Sequence, residues 1–415
     1  MTGALPAATP VDMVVPNYGQ FGGKHCETGS LRNVLAFLGV TAPHTGMPFS
    51  EEMLLGIGGG IGMSYWLFRF GETAFFFVGT RYSEKGPGAL FLQQVAKRLG
   101  IPTTVHETAS ARRGAANLEA VLNAGRPAVV WVDMPMLSYL GIPETAHFGG
   151  HAIVVYGIDG GRALIADRAA RAVSVKAPEL AAARASKFKP FPPRHKLMDV
   201  EPPVRPISGQ TLERAVVRGI SDCCRLLLHG PIQNIGLQAL PKWADLVCNE
   251  KNPKGWPNAF REPVSLYGAL MSTFIFIEIG GTGGSAFRPM YARFLSEAAQ
   301  LVGQPRLEEV SCQYWACARL WSALANAALP DWAPELRETR ELLTRKNRVF
   351  EAQDAGAMEE MARINRRLDE ILSGAKKRFP AEGRTRELLG GLREKILQVY
   401  EAETKAVTAL EECIR

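Results

Sequence analysis

The sequence predicts an α+β protein: a helix bearing a cysteine at its N-terminus packs on an antiparallel sheet, and an all-α domain and a charged helical extension follow. Three observations lead there. Residues Glu27 to Leu38 carry apolar side chains at helical spacing (Leu31, Val34, Leu35, Leu38) with Gly39 as a stop signal, so Cys26 stands at a helix N-terminus. Between Pro127 and Lys176 short apolar runs follow one another closely, and late consecutive strands after early helices favour antiparallel pairing. Beyond about residue 205 the texture is almost wholly helical.

Taken in order, Ser50-Glu-Glu is an N-cap with acidic first-turn residues, and the helix it opens stops in the glycine run Gly56 to Gly62. Phe75 to Val78 reads as a strand, and Gly88 to Leu99 and Ala115 to Asn123 as helices. Pro127 to Val132, Ala152 to Ile158, Ala163 to Asp167 and Val173 to Lys176 read as further strands. The proline-rich segment Phe188 to Pro206 has the composition of an interdomain linker. The expected domains are therefore 1–205, 206–330 and 331–415. Trp243, Trp256, Phe294, Trp315 and Trp321 supply bulky anchors for the second. From about Pro334 the chain is charged in both signs with Leu or Ile at heptad-like spacing, which predicts two or three long helices. A solvated face or a homodimer contact is the expected role of those helices, rather than a catalytic part.

At 415 residues the chain exceeds one ordinary core, and 47% apolar with 21% charged is a globular balance. No signal peptide is visible, and the longest apolar run, Leu270 to Ile279, is interrupted by Glu278 and falls short of the roughly 20 residues of a membrane helix. A cytoplasmic protein without membrane insertion is expected. Seven cysteines without regular spacing, including the adjacent Cys223 and Cys224, read as reduced thiols. The net charge of +7 comes from scattered Lys and Arg with no zinc-finger or RNA-recognition motif, so nucleic acid is not expected as a partner. His147 and His151 have the spacing of helical metal ligands, but Gly149 and Gly150 intervene and a strand begins at 151, so no metal is expected. Neither glycine run, 56–62 nor 280–284, has a dinucleotide or phosphate-loop pattern, and no cofactor is predicted.

The chemistry rests on Cys26. A helix N-terminus and a neighbouring imidazolium both stabilise a thiolate. His151 opens one strand and Asp167 ends the next, so an antiparallel hairpin would bring both to one sheet edge as base and orienting carboxylate. Asp159 is the competing carboxylate, but it sits in a Gly-Ile-Asp-Gly-Gly turn, where aspartate serves local hydrogen bonds. The Cys26 amide is a natural oxyanion donor, with the Gln20 side chain as candidate second donor. Lys24 and His25 flank the nucleophile, and His25 reads as an orienting or surface group. Gly58, Gly59 and Gly60 with Tyr65 and Trp66 read either as a tight connection or as a substrate channel with an aromatic wall.

Several stretches resemble the butirosin-biosynthesis acyltransferase family, BtrH and its relatives. They are His25-Cys-Glu-Thr-Gly-Ser-Leu-Arg-Asn, Ser50 to Trp66, Gly150-His-Ala-Ile-Val-Val-Tyr-Gly, Gln233-Asn-Ile-Gly-Leu and Gly280 to Tyr291, within a likeness covering roughly residues 15–330. The resemblance implies a papain-like cysteine-peptidase fold followed by a helical domain. It also implies that Cys26 takes an acyl group from a carrier-protein (or coenzyme A) thioester and passes it to an amine of a small molecule in secondary metabolism, with His151 as base. The Gln-x5-Cys and His-to-Asp spacings are also similar to the bacteriocin-processing peptidases of export transporters, which supports the three site residues but not a substrate. A cysteine hydrolase would use the same residues with water as acceptor, and a non-catalytic binding or scaffold protein is the third reading.

Overall fold

The computed structural model describes residues 13–414 apart from 72, 84–89, 145, 190 and 379–381. Gly88, the expected start of one helix, lies outside the described residues. In chain order the first part holds β1 (Met13–Val14), α1 (Cys26–Phe37), α2 (Glu51–Ile57), β2 (Ile61–Phe70), β3 (Thr73–Arg81), α3 (Leu90–Leu99), β4 (Thr103–His106), α4 (Ala111–Asn123), β5 (Ala128–Val132), β6 (His151–Asp159), β7 (Arg162–Ala166), β8 (Val173–Lys176), α5 (Ala177–Ala185) and β9 (Leu197–Val200). Seven strands form one sheet in the order β4-β9-β5-β6-β7-β8, with β1 on β6. Every pairing is antiparallel. β5 is buried along its whole length, as a strand covered on both faces must be, and α1, α4 and α5 pack on it. This is the papain-like α+β arrangement, with the helix that begins at Cys26 lying across the sheet against β6.

The proline-rich stretch is a linker only in part, because Leu197 to Val200 forms β9 and inserts between β4 and β5. Its four residues are all buried, Asp199 among them, and so short a strand amid prolines is what the composition concealed. β2 and β3 make a separate two-stranded hairpin. The hairpin is tied to the helical half by Tyr65 N–H to Asn234 O at 2.9 Å and Gly236 N–H to Met63 O at 2.8 Å.

The helical half comprises α6 (Gly209–Leu228), α7 (Ala239–Cys248), α8 (Trp256–Ala259), α9 (Pro263–Phe274), α10 (Arg288–Leu301), α11 (Arg306–Ala328), α12 (Pro334–Ala352), α13 (Ala357–Arg378) and α14 (Glu382–Ile414). A single π-helical turn, Ile275–Ile279, follows α9. The reading of the extension as a solvated face does not hold for α14, which packs along α6, α7 and α11. Glu403, fully buried on α14, accepts from Arg288 Nε at 2.6 Å and from Trp321 Nε1 at 2.8 Å. Arg288 reaches further, donating to Thr80 O and Gly62 O at the base of the hairpin. Charge counts alone could not reveal this, since one inward-facing carboxylate is lost among many outward ones. No helix among the described residues is long and apolar enough to cross a membrane.

Candidate active site

Cys26 is the first residue of α1, where the opening N–H groups have no partner within the helix and the dipole favours an anion. The turn before it is clamped. His25 is the N-cap, its Nδ1 accepting from Thr28 N–H at 3.3 Å. The buried carboxylate of Glu51, at the start of α2, accepts from the Lys24 and His25 amides at 2.9 and 3.1 Å and from the Thr28 hydroxyl at 3.1 Å. Burial raises the Glu51 carboxyl above its ordinary range despite these donors. The same acidic residue that marks a helix start in sequence thus fixes the backbone beside Cys26.

The Cys26 side chain lies close enough to the His151 ring to favour its protonated form. Nε2 of that ring meets Asp167 Oδ2 at 2.8 Å, which leaves Nδ1 for the thiol. His151 starts β6 and Asp167 directly follows β7, so antiparallel pairing brings two residues 16 apart in sequence to one edge. Asp167 is held twice more, by the Tyr139 hydroxyl at 2.9 Å on Oδ2 and the Arg168 amide at 2.7 Å on Oδ1. Burial disfavours a charged His151, but the Asp167 carboxylate and the Cys26 side chain outweigh it and raise the imidazole to about 10. Burial likewise opposes the Asp167 anion, yet His151 and then Arg168 hold the carboxyl below its ordinary range. The pair therefore carries charge through neutral pH. His25 behaves oppositely: burial, then Arg81 and Arg168, push it well below the ordinary histidine range. It is a buried neutral cap and not a surface group.

Cys26 opens into a cavity of about 500 Å³ between the α1 N-terminus, the β2–β3 hairpin and the helical half. Period-2 alternation sorts the hairpin residues. Ser64, Trp66 and Phe68 face the cavity, while Tyr65 points into the core, stacks on Trp243 and accepts from Trp256 Nε1 at 3.0 Å. Gly58, Gly59 and Gly60 also lie outside the cavity lining. A Cβ on Gly60, whose φ is +68°, would come within 2.3 Å of the Tyr291 ring, and one on Gly58 within 2.2 Å of Phe91, so packing accounts for these glycines. Gln20 is half-buried in the segment leading to Cys26 and is not among the lining residues. Asp159 closes the opposite end of β6 from His151, and His147 is engaged with Asp133 at 2.8 Å.

Sequence reading missed Glu27 and Arg81. Glu27 is buried beside Cys26 and pairs with Arg81 at 2.5 Å, and both line the cavity. Glu27 lies inside a motif that could have flagged it, whereas Arg81 ends a strand and carries no local signal. From the helical half, Phe287 closes on His25 with ring centroids 5.0 Å apart. It ends a run of three non-glycine residues at positive φ (Ser285 +46°, Ala286 +55°, Phe287 +70°), an uncommon backbone that the surrounding packing must enforce.

The family model described as "Butirosin biosynthesis protein H, N-terminal" matches residues 25–168. The one described as "Domain of unknown function (DUF4872)" matches residues 178–345. The first match begins at His25, beside Cys26, and ends at Arg168, beside Asp167. No protein with a curated description matches the chain.

Proposed function

Because the chain belongs to the BtrH-like family, we propose that it is a cysteine-dependent acyltransferase of secondary metabolism, with Cys26 as nucleophile, His151 as acid and base, and Asp167 as the group that orients His151. The observation that carries this reading is the continuous line from the α1 N-terminus through the Cys26–His151 contact to Asp167, opening on a cavity. The thiolate Sγ attacks the carbonyl carbon of a carrier-protein or coenzyme A thioester. The Cys26 amide stabilises the oxyanion, with Gln20 as proposed second donor. The donor's C–S bond breaks, and its departing thiolate takes the proton held on His151. An amine of a small molecule then attacks the acyl-enzyme, an N–C bond forms as the Cys26 C–S bond breaks, and His151 accepts the amine proton.

Transfer over hydrolysis requires a shielded acyl-enzyme. Leu226, Ile235, Phe276 and Phe287 of the helical half roof the cavity and support that requirement. The test is intact-mass spectrometry of the wild type and Cys26→Ala after incubation with acyl thioesters, with and without polyamines or aminoglycosides. The expected result is an adduct on the wild type only, discharged faster by amine than by buffer. Equal discharge in buffer would make the protein a cysteine hydrolase, and no Cys26-dependent adduct would overturn acyl transfer.

A further inference from the structure

The cavity is polarised along its length. Among the described lining residues, the charged or titratable ones other than Cys26 are His25, Glu27 and Arg81, all gathered where Cys26 enters. From Arg81 the cavity follows β3 outward to Phe77, four residues or about 13 Å. The far wall there is aromatic. Phe77 meets Phe191 of the proline-rich stretch and Phe276 of the π-helical turn with centroids 6.1 and 5.5 Å apart, and Phe191 meets Phe148 at 5.6 Å. Trp66, the cross-strand partner of Phe77, completes this end. All these pairs are edge-to-face, the arrangement aromatic rings prefer in packed interiors.

We infer that this far end is the acyl subsite and that it takes an apolar acyl group, aromatic or medium-chain, while the carbonyl carbon lies at Cys26. The inference rests on the acyl-transfer reading above and names its donor class. A carboxylate- or ammonium-bearing acyl group would have to shed its hydration among phenyl rings with no opposite charge at hand, because Glu27 is already paired with Arg81 at the other end. The volume of about 500 Å³ is that of a small-molecule site and exceeds what an acetyl group would fill.

The experiment measures Cys26 acylation by intact mass, without acceptor amine, using N-acetylcysteamine thioesters of acetate, butyrate, hexanoate, phenylacetate, succinate and 4-aminobutyrate. The second-order rate is expected to rise about fourfold per added methylene along the unbranched apolar series. Phenylacetyl should match or exceed hexanoyl, and the two charged groups should trail. Phe77→Ala should slow hexanoyl and phenylacetyl at least tenfold and leave acetyl within twofold. Phe191→Ala, on irregular backbone, should do the same while leaving the hairpin's own residues unchanged. A flat series, a preference for the charged groups, or a Phe77 effect confined to the later discharge by amine would overturn the assignment while leaving acyl transfer in place. If no thioester labels Cys26, acyl transfer itself fails. Titration of Cys26→Ala with the corresponding hexanoyl and succinyl amides then decides the subsite separately: tighter hexanoyl binding keeps the apolar assignment, and equal or tighter succinyl binding removes it.

Discussion

Two of the most deeply buried ion pairs among the described residues differ in what surrounds them. His151 and Asp167 meet at 2.8 Å beside the cavity, and Arg288 and Glu403 meet at 2.6 Å behind it. Both pairs are almost fully withdrawn from water, a placement that is expensive unless further hydrogen bonds satisfy the remaining donors and acceptors. The satisfying partners differ. Asp167 is held by a hydroxyl and an amide, while His151 faces the Cys26 side chain, which favours its protonated form. Arg288 spends its donors on backbone carbonyls at Gly62, Thr80 and Ala286, and its guanidinium lies 4.9 Å from the Trp321 ring centroid. One pair therefore ends at the proposed nucleophile, and the other ends in three fixed points of the chain. Burial of charge is common to both, and what the last partner can do decides between chemistry and architecture.

The sharpest way to test this contrast is Asp167→Asn. It keeps the shape and removes the charge that holds His151 up at about 10. The rate of Cys26 acylation should fall by about 10³ to 10⁴. The alkaline limb of the pH–rate profile, where the imidazolium loses its proton, should move from near 10 toward neutrality. An unmoved limb would show that this pair does not govern the reaction. Stability should respond with a definite sign. The His151 contribution is fully present below its ordinary 6.5 and is lost as pH rises through about 10. The Asp167 contribution is present above the ordinary 3.8 and is lost as pH falls through its depressed value. The wild type should thus gain most from the pair between about pH 4 and 6.5, and Asp167→Asn should flatten that window in urea melts taken across pH.

Glu403→Gln breaks the other pair and should read out in stability instead. Removing one member of a buried pair costs about 3–5 kcal/mol, measurable as a lower urea midpoint. Acylation per folded molecule should stay close to wild type. A double replacement, Arg288→Met with Glu403→Leu, is the informative companion. Paired apolar replacement often recovers stability elsewhere, but here it would still orphan three carbonyls near the hairpin base. Recovery to wild-type stability would show that those carbonyl contacts contribute little and would weaken the architectural reading.

What could be read in the sequence follows from how local each signal is. The helix from Cys26 and the strands bearing His151 and Asp167 declare themselves by periodicity over a few residues, and antiparallel pairing of neighbouring strands then brings the last two together. β9 stays hidden because its four residues, the charged Asp199 among them, are too few to show a period between charged and proline-rich flanks. The opposite fates of Tyr65 and Trp66 depend on which face of β2 the helical half covers, through partners such as Trp243 that lie far along the chain. Arg81 reaches Glu27 across 54 positions, and Glu403 meets Arg288 across 115. Such contacts arise from packing between elements and leave no periodic trace in either segment.

Tyr139 is of that hidden kind and gives the smallest and most discriminating expectation. Its hydroxyl donates to the same Asp167 oxygen that meets His151, and its ring stacks with Phe350 of α12 at 6.5 Å, so the extension reaches the back of the site. Tyr139→Phe keeps the ring and removes one hydrogen bond to a charged acceptor, a loss of about 1.5 kcal/mol, or roughly tenfold in acylation. Arg168 N–H still holds the other oxygen, so the carboxylate stays ionised and the alkaline limb should remain near 10. The readout is therefore a rate that drops while the pH profile keeps its shape, the opposite of Asp167→Asn. A profile that shifts with the rate would place Tyr139 among the groups that set the charge of the pair, and an unchanged rate would leave it with packing alone.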